Sequence, residues 1–322
     1  MTVLVTGSAG HLGEALMRRL PQAGYAARGL DVQPGPFVDV VGSVTDREVV
    51  RAALSGVEVV VHAATLHKPH VATHSRQDFI ATNVTGTLTL LEESVAAGVR
   101  AFVYTSTTSA FGWALVPGPG EPATWITEDV VPRPRNIYGA TKVAAEDLCE
   151  LVHRDHGLPC LVLRTSRFFP EADDHDERRG AYEDLNLKVN ELLYRRVDIE
   201  DAVSAHVRAI VRAPDIGFGR YIISATTPFT SRDLAQLCAQ APTVVARHHP
   251  TYERAFAARG WVMLPEIERV YVNALARREL CWEPRWDFAT ALEALEAGRD
   301  PRSELARTVG AKGYHEPSGS LE

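Results

Sequence analysis

The first half of the chain alternates short apolar runs with longer segments of helical spacing. TVLVTG (2–7) predicts a strand, and 11–23 carries Leu12, Leu16 and Leu20 on one helical face. AARGLD (26–31), VDVVGSV (38–44) and EVVVHAA (58–64) read as further strands. A helix over 77–97, a strand over 101–106, a helix over 139–156 and a strand over 160–166 come next. These strands are continuously apolar, as expected where helices cover both faces of a sheet. The alternation predicts an α/β fold built on a doubly wound parallel sheet.

Beyond 166 the pattern breaks. RFFPEADDHDERRG (167–180) is charged and interrupted by Pro170 and Gly180, whereas 199–213 and 220–224 predict a helix and strand returning to the sheet. The expected organisation is a sheet domain from 1–166 plus about 195–226, with 167–194 and 227–322 forming a small interleaved lobe.

A net charge of −7 argues against a nucleic-acid partner. The basic pairs Arg195-Arg196 and Arg277-Arg278 read as solvated helix faces. Cys149, Cys160, Cys238 and Cys281 are scattered, form no CxxC pair, and fit reduced, mostly buried thiols. MTVLVTG has neither a basic n-region nor an apolar h-region, and no apolar run is long enough to span a bilayer. A cytoplasmic protein without a membrane partner is the expectation.

VTGSAGHLG sets Gly7, Gly10 and Gly13 between the first strand and the first helix. Glycine is required where a chain turns tightly and its backbone must approach a pyrophosphate; the helix N-terminus then offers free N–H groups. This predicts a dinucleotide site of Rossmann type. Asp31 ends the second strand, where a carboxylate accepts both ribose hydroxyls and repels a 2′-phosphate, favouring NAD over NADP. Arg28 is the residue that could serve such a phosphate instead.

YGATK (138–142) places Tyr138 and Lys142 one helical turn apart on one face. A phenol ionises near pH 10, so working near pH 7 requires about 4 kcal/mol of extra stabilisation of the phenolate. Lys142 and an oxidised nicotinamide can supply it in a desolvated cleft.

With TGSAGHLG, VVVHAA, NVTGTLTLLEES, VYTSTTSAFG, YGATK, RRVDIEDAVSAHVRAI and ARRELCWEPRWDF in this order, the chain resembles the extended short-chain dehydrogenases/reductases. That branch is the NAD-dependent epimerase/dehydratase family, and the resemblance covers nearly the whole length. It implies Thr107, with Ser106 the second choice for the hydroxyl, together with Tyr138 and Lys142 as the catalytic group, Thr107 holding the substrate oxygen and Tyr138 acting as acid or base. Beyond the glycines, Asp31, Tyr138 and Lys142, it implies cofactor contacts from His11, Leu12, Ser43, Val44, Ala63, Ala64, Asn83, Thr105 and Phe168. His67, Thr107, Thr108 and Arg167 are the implied substrate contacts. A homodimer through helices near 77–97 and 139–156 is implied as well.

Several positions depart from the family pattern. Gly42-Ser43 replaces the usual Gly-Asp pair, leaving the adenine contact weaker or to backbone. Cys281 stands where glycine is common, which reads as a packing change. Arg167 occupies the position of a substrate-touching asparagine in sugar-nucleotide 4-epimerases. It either receives a carboxylate or phosphate of the substrate or pairs with Glu171, Asp173 or Asp174; both stay open. His62, His67, His70 and His74 lack carboxylates at matched spacing, so no metal is expected.

The expected activity is NAD-dependent hydride transfer at a secondary alcohol of a sugar-like substrate, which could carry an anionic group. The epimerase type leads, and a net dehydrogenase of a free sugar or sugar acid is the alternative. TTSAFG lacks the Asp-Glu pair of dehydratases. An inactive NAD-sensing protein is disfavoured because Tyr138, Lys142 and Thr107 are all present.

Overall fold

A computed structural model describes residues 1–169, 171 and 176–312. Asp173, Asp174 and the terminal SGSLE lie outside the described residues. Seven parallel strands form the main sheet: β1 (Thr2–Thr6), β2 (Ala26–Asp31), β3 (Val40–Val41), β4 (Val59–His62), β5 (Ala101–Thr107), β6 (Cys160–Thr165) and β7 (Phe218–Ile223). Their order across the sheet is β7-β6-β5-β4-β1-β2-β3. The continuous apolar runs have a direct cause. Val3, Val5, Val61, Val103 and Leu163 point into one core layer, and Leu4, Val60, Phe102, Tyr104 and Val162 into the other. Each such side chain contributes about 1.5–3 kcal/mol by leaving water.

Helices α1 (His11–Arg19) and α5 (Ile199–Ile216) cover the first face. On the second lie α2 (Arg47–Ala53), α3 (Gly86–Ala96) and α4 (Ile137–His156). Local chemistry sets their ends. The Asn136 side chain accepts from the Gly139 amide at 3.0 Å to start α4, and Gly157 at φ 70° stops it.

The structure departs from expectation at several places. The third strand is only Val40–Val41, because the turn at 42–45 and the Asp46-capped α2 occupy the next positions. The segment expected as one helix is an α-turn at Arg76–Phe79, a π-helix at Ile80–Thr85, and then α3. The Arg195-Arg196 pair is no solvated face. Arg196 is fully buried against Glu191, with its Nε 2.8 Å from Oε2, and Arg195 pairs with the same carboxylate. Of the four cysteines, Cys149 and Cys160 are buried in the sheet domain, Cys238 is half-buried and Cys281 is exposed. Cys281 holds φ 51°, so the glycine common in the family serves a left-handed backbone rather than packing.

The lobe has its own core of Phe169, Leu187, Leu193, Phe229, Val244 and Phe288, among others. Two short parallel sheets stitch it to the rest, 167–169 with 196–198 and 124–126 with 269–271. Ala276, Leu280, Trp282 and Leu305 from the C-terminal segment pack into the main-sheet core instead.

Candidate active site

A cleft of about 820 Å³ opens between the C-terminal ends of the strands and the lobe. Its floor at one end is the glycine turn. Gly7 has φ 71°, and a Cβ there would stand 2.7 Å from the Ala64 nitrogen; one on Gly13 would stand 1.9 Å from the Gly7 oxygen. No side chain fits either place, so β1, β4 and the first turn of α1 close to backbone contact. Gly10 is the extended residue before α1. A pyrophosphate fits such a cradle, which offers backbone N–H groups and no competing side chain.

Asp31 lines the same end and accepts from the amides of Ala9 and Gln33, each at 2.9 Å. Arg28 turns away, donating to the Ala53 and Ser55 carbonyls at 2.8 and 2.7 Å. Leu12, Ser43, Val44, Ala63 and Ala64 also line the cleft. His11, the first residue of α1, is hydrogen-bonded through Nδ1 to Glu171. The lobe segment is thereby tied to the glycine turn.

Thr107 ends β5, with its Oγ1 accepting from the Ser109 amide at 3.1 Å. Tyr138 lies in the first turn of α4, and both residues line the cleft together with Thr105, Thr108, His67, Arg167 and Phe168. The Thr105 hydroxyl sits 2.9 Å from Nε2 of His206, whose Nδ1 faces the Ala202 carbonyl at 2.7 Å. Burial lowers the His206 pKa to about 4, so the ring is neutral, with Nδ1–H donating to the carbonyl and Nε2 accepting from Thr105.

Two expected contacts stand behind the wall rather than on it. Asn83 lies in the π-helix and is saturated. Its oxygen accepts from Leu66 N (2.8 Å) and Thr65 (2.9 Å), and its nitrogen donates to Leu66 O (2.9 Å) and Thr141 (3.0 Å). It holds the loop after β4 against α4. Lys142 is 1% exposed, with its ammonium 4.1 Å from the centre of the Tyr104 ring. Burial pushes its pKa down to about 7 against the opposing pull of Glu146 and Cys149. One turn further on, buried Glu146 accepts from Ser106 at 2.5 Å and from Arg164 at 2.7 Å. Tyr138, Lys142 and Glu146 thus succeed one another at consecutive turns of α4.

His67, His70 and His74 line the cleft in T-shaped contact, with successive ring centres 4.5 and 5.1 Å apart. Burial with nearby His74 lowers the His70 pKa. Among the described residues no His/Cys/Asp/Glu cluster is arranged to hold a metal ion, and no helix is long and apolar enough to cross a membrane. Sequence reasoning missed Arg135, Ser166, Arg269 and Tyr271, all of which line the cleft. Arg135 carried a signal, standing three residues before Tyr138; Arg269, far away in sequence, carried none.

The family model for the NAD dependent epimerase/dehydratase family matches residues 3–216. The chain belongs to that family. Its members are NAD-dependent enzymes of the extended short-chain dehydrogenase/reductase type, and the sheet described above is their fold. Among relatives, the chain is 31% identical to the uncharacterized protein y4nG of Sinorhizobium fredii, over 79% of its own length and 62% of that protein. It is 28% identical to the low-salt glycan biosynthesis protein Agl12 of Haloferax volcanii, over 91% and 97%. A short-chain dehydrogenase/reductase superfamily protein from Agrobacterium tumefaciens, solved with bound NAD, superposes with a TM-score of 0.67. It is 22% identical, with coverage of 96% of this chain and 97% of that one. The UDP-N-acetylglucosamine 4-epimerase of Bacillus cereus gives 0.64 at 20% identity, over 92% and 98%. In this epimerase/dehydratase family member, the glycine turn and Tyr138 of YGATK thus open onto one cleft.

Proposed function

We propose that this enzyme transfers hydride at a secondary alcohol of a sugar-like substrate, as an epimerase-type reaction with Tyr138 as acid and base. The observation that carries the reading is the shared cleft: the glycine turn, Asp31, Thr107 and Tyr138 all open onto it. When bound, NAD supplies the hydride acceptor. Tyr138 takes the alcohol proton onto its phenolic oxygen as the carbonyl forms and returns it on reduction. Thr107 hydrogen-bonds the same substrate oxygen and orients it toward Tyr138. Lys142, buried four residues on, favours the phenolate to the extent that it is protonated. Phe168 lines the cleft beside Arg167 and helps exclude water.

Asp31 facing the cleft and Arg28 committed to carbonyls favour NAD over NADP. A sugar-like substrate is supported by the likeness to Agl12, a glycan biosynthesis protein, and to the Bacillus cereus 4-epimerase. Exposed Ile80 and Leu151, on the helical segments around α3 and α4, support a homodimer, and a purely monomeric species in sedimentation would sink that part. Function itself is tested by incubating the protein with NAD and a panel of sugars, sugar acids and nucleotide sugars. Isomerised product without net NADH is the expected result; NADH accumulating with a free sugar acid selects the dehydrogenase. Tyr138→Phe should remove at least about 99% of turnover while NAD affinity changes less than about threefold. Normal turnover by Tyr138→Phe overturns the mechanism.

A further inference from the structure

The substrate end of the cleft carries charge that the reaction above leaves unused. Arg135 precedes Tyr138 by three residues, and Arg269 opens the short strand 269–271 of the lobe; both line the cleft. Arg135 donates from Nε to the Gly112 carbonyl at 3.1 Å, and Arg269 donates from Nη1 to that same oxygen at 2.9 Å. Arg269 also reaches the Ala114 carbonyl at 3.4 Å. Two guanidiniums therefore converge on one neutral oxygen. Burial and the neighbouring Arg269 charge both lower the Arg135 pKa, against weaker attraction from Tyr271 and Glu268. Among the described residues neither guanidinium has a carboxylate in ion-pair contact, whereas Arg195 nearby is paired with Glu191.

Like charges held together without a counter-ion are unfavourable unless an anion completes the arrangement. Each guanidinium carries five N–H donors in a planar fork, and a single nitrogen of each is spent on carbonyls. The remaining donors match the geometry of a carboxylate or phosphate. Trp113 keeps the fork of Arg135 in place without consuming donors, its ring centre 4.1 Å from the guanidinium carbon. Elsewhere on the cleft wall, Ser166 is 2% exposed and its Oγ has no hydrogen-bond partner among the described residues.

We infer that Arg135 and Arg269 form an oxyanion subsite, which receives a carboxylate or phosphate borne by the substrate beyond its reacting carbon. This rests on the reading of Thr107 and Tyr138 as the reacting end. One arginine comes from each side of the cleft, Arg135 from the loop before α4 and Arg269 from the strand 269–271.

The test is calorimetric binding to the NADH-loaded full chain, which holds no hydride acceptor, at low ionic strength. The probes are glucuronate, glucose 6-phosphate, UDP and, as the neutral reference, glucose. At least one anion should bind about tenfold or more tighter than glucose, and Arg135→Gln/Arg269→Gln should lose about tenfold or more of that affinity. NAD affinity should stay unchanged. Which probe leads separates a sugar acid, a sugar phosphate and a nucleotide as the source of the anion. Should the double variant fold poorly, Arg135→Gln alone leaves Arg269 on the Gly112 carbonyl and should still weaken the leading probe. Anions binding no better than glucose, or a double variant that retains them, overturn the inference. Heat of binding is read without turnover, so this failure is distinct from failure of the Tyr138 mechanism, which only hydride transfer reports.

Discussion

The two walls of the cleft are built from different materials. On the sheet side the seat proposed for the cofactor is backbone: a glycine turn closed to van der Waals contact, a helix N-terminus and strands anchored in two apolar layers. On the lobe side the wall is held by buried ions and polar side chains. Arg196 and Glu191 pair out of reach of water, and Arg196 also donates to the Phe168 and Glu171 carbonyls at 2.7 and 2.8 Å. Asn186 and Asn190 both donate to the Val262 carbonyl, at 3.0 and 2.8 Å. A backbone seat serves one shared molecule with fixed geometry, whereas a wall of side chains can be re-cut for different substrates without disturbing the sheet.

The most severe challenge to this contrast is Gly13→Ala. Its new methyl would meet the Gly7 oxygen at 1.9 Å and the Ser8 Cα at 2.7 Å, and neither backbone atom can yield without opening the turn. NAD affinity should fall at least about 100-fold, or about 2.7 kcal/mol, by fluorescence titration. Wild-type affinity in that variant would mean the seat is not made of backbone.

On the other wall, Glu191→Gln strands the Arg196 charge in the interior. About 3–5 kcal/mol of stability should be lost in urea unfolding, while Glu191→Leu/Arg196→Leu recovers most of it. Equal losses from the single and double variants would show that the pair is not what supports the lobe.

Lys142 tests the contrast from inside, because it is a charge on the apolar side. Its folded pKa of about 7 lies below the unfolded value of 10.5. Between those limits the unfolded chain binds more protons, so this group makes stability rise with pH from 7 toward 10.5, and below 7 both states are protonated and its contribution is flat. The slope is at most about 1.4 kcal/mol per pH unit for one proton. Urea midpoints at pH 7 and pH 9 should therefore diverge in the wild type and converge in Lys142→Met. Parallel behaviour of the two proteins would place the lysine in contact with water.

The same contrast explains what could be read from residue order. Continuous valine and leucine runs, Gly7 and Gly13, and the Tyr138–Lys142 spacing are local signals, and they located the sheet, the tight turn after β1 and the helix whose first turn lines the cleft. The π-helix at Ile80–Thr85 was invisible because its cause is tertiary: Asn83 must meet Leu66 and Thr141 at once. Arg196 looked like surface because burial of an arginine depends on a partner, Glu191, that periodicity does not announce. Arg135 and Arg269 are 134 positions apart, and only folding brings them to one carbonyl. Cys281 shows the reverse case, where a glycine missing from an expected place reported a backbone angle.

Trp113 is 57% exposed, under the guanidinium of Arg135. An anion that docks on Arg135 above that ring changes the polarity around the indole, so its emission is a second readout of the inferred subsite. Trp282, by contrast, is sealed in the main core, away from the cleft lining. Stopped-flow emission can then time the arrival of a ligand at the entrance without a dye, a label or catalysis.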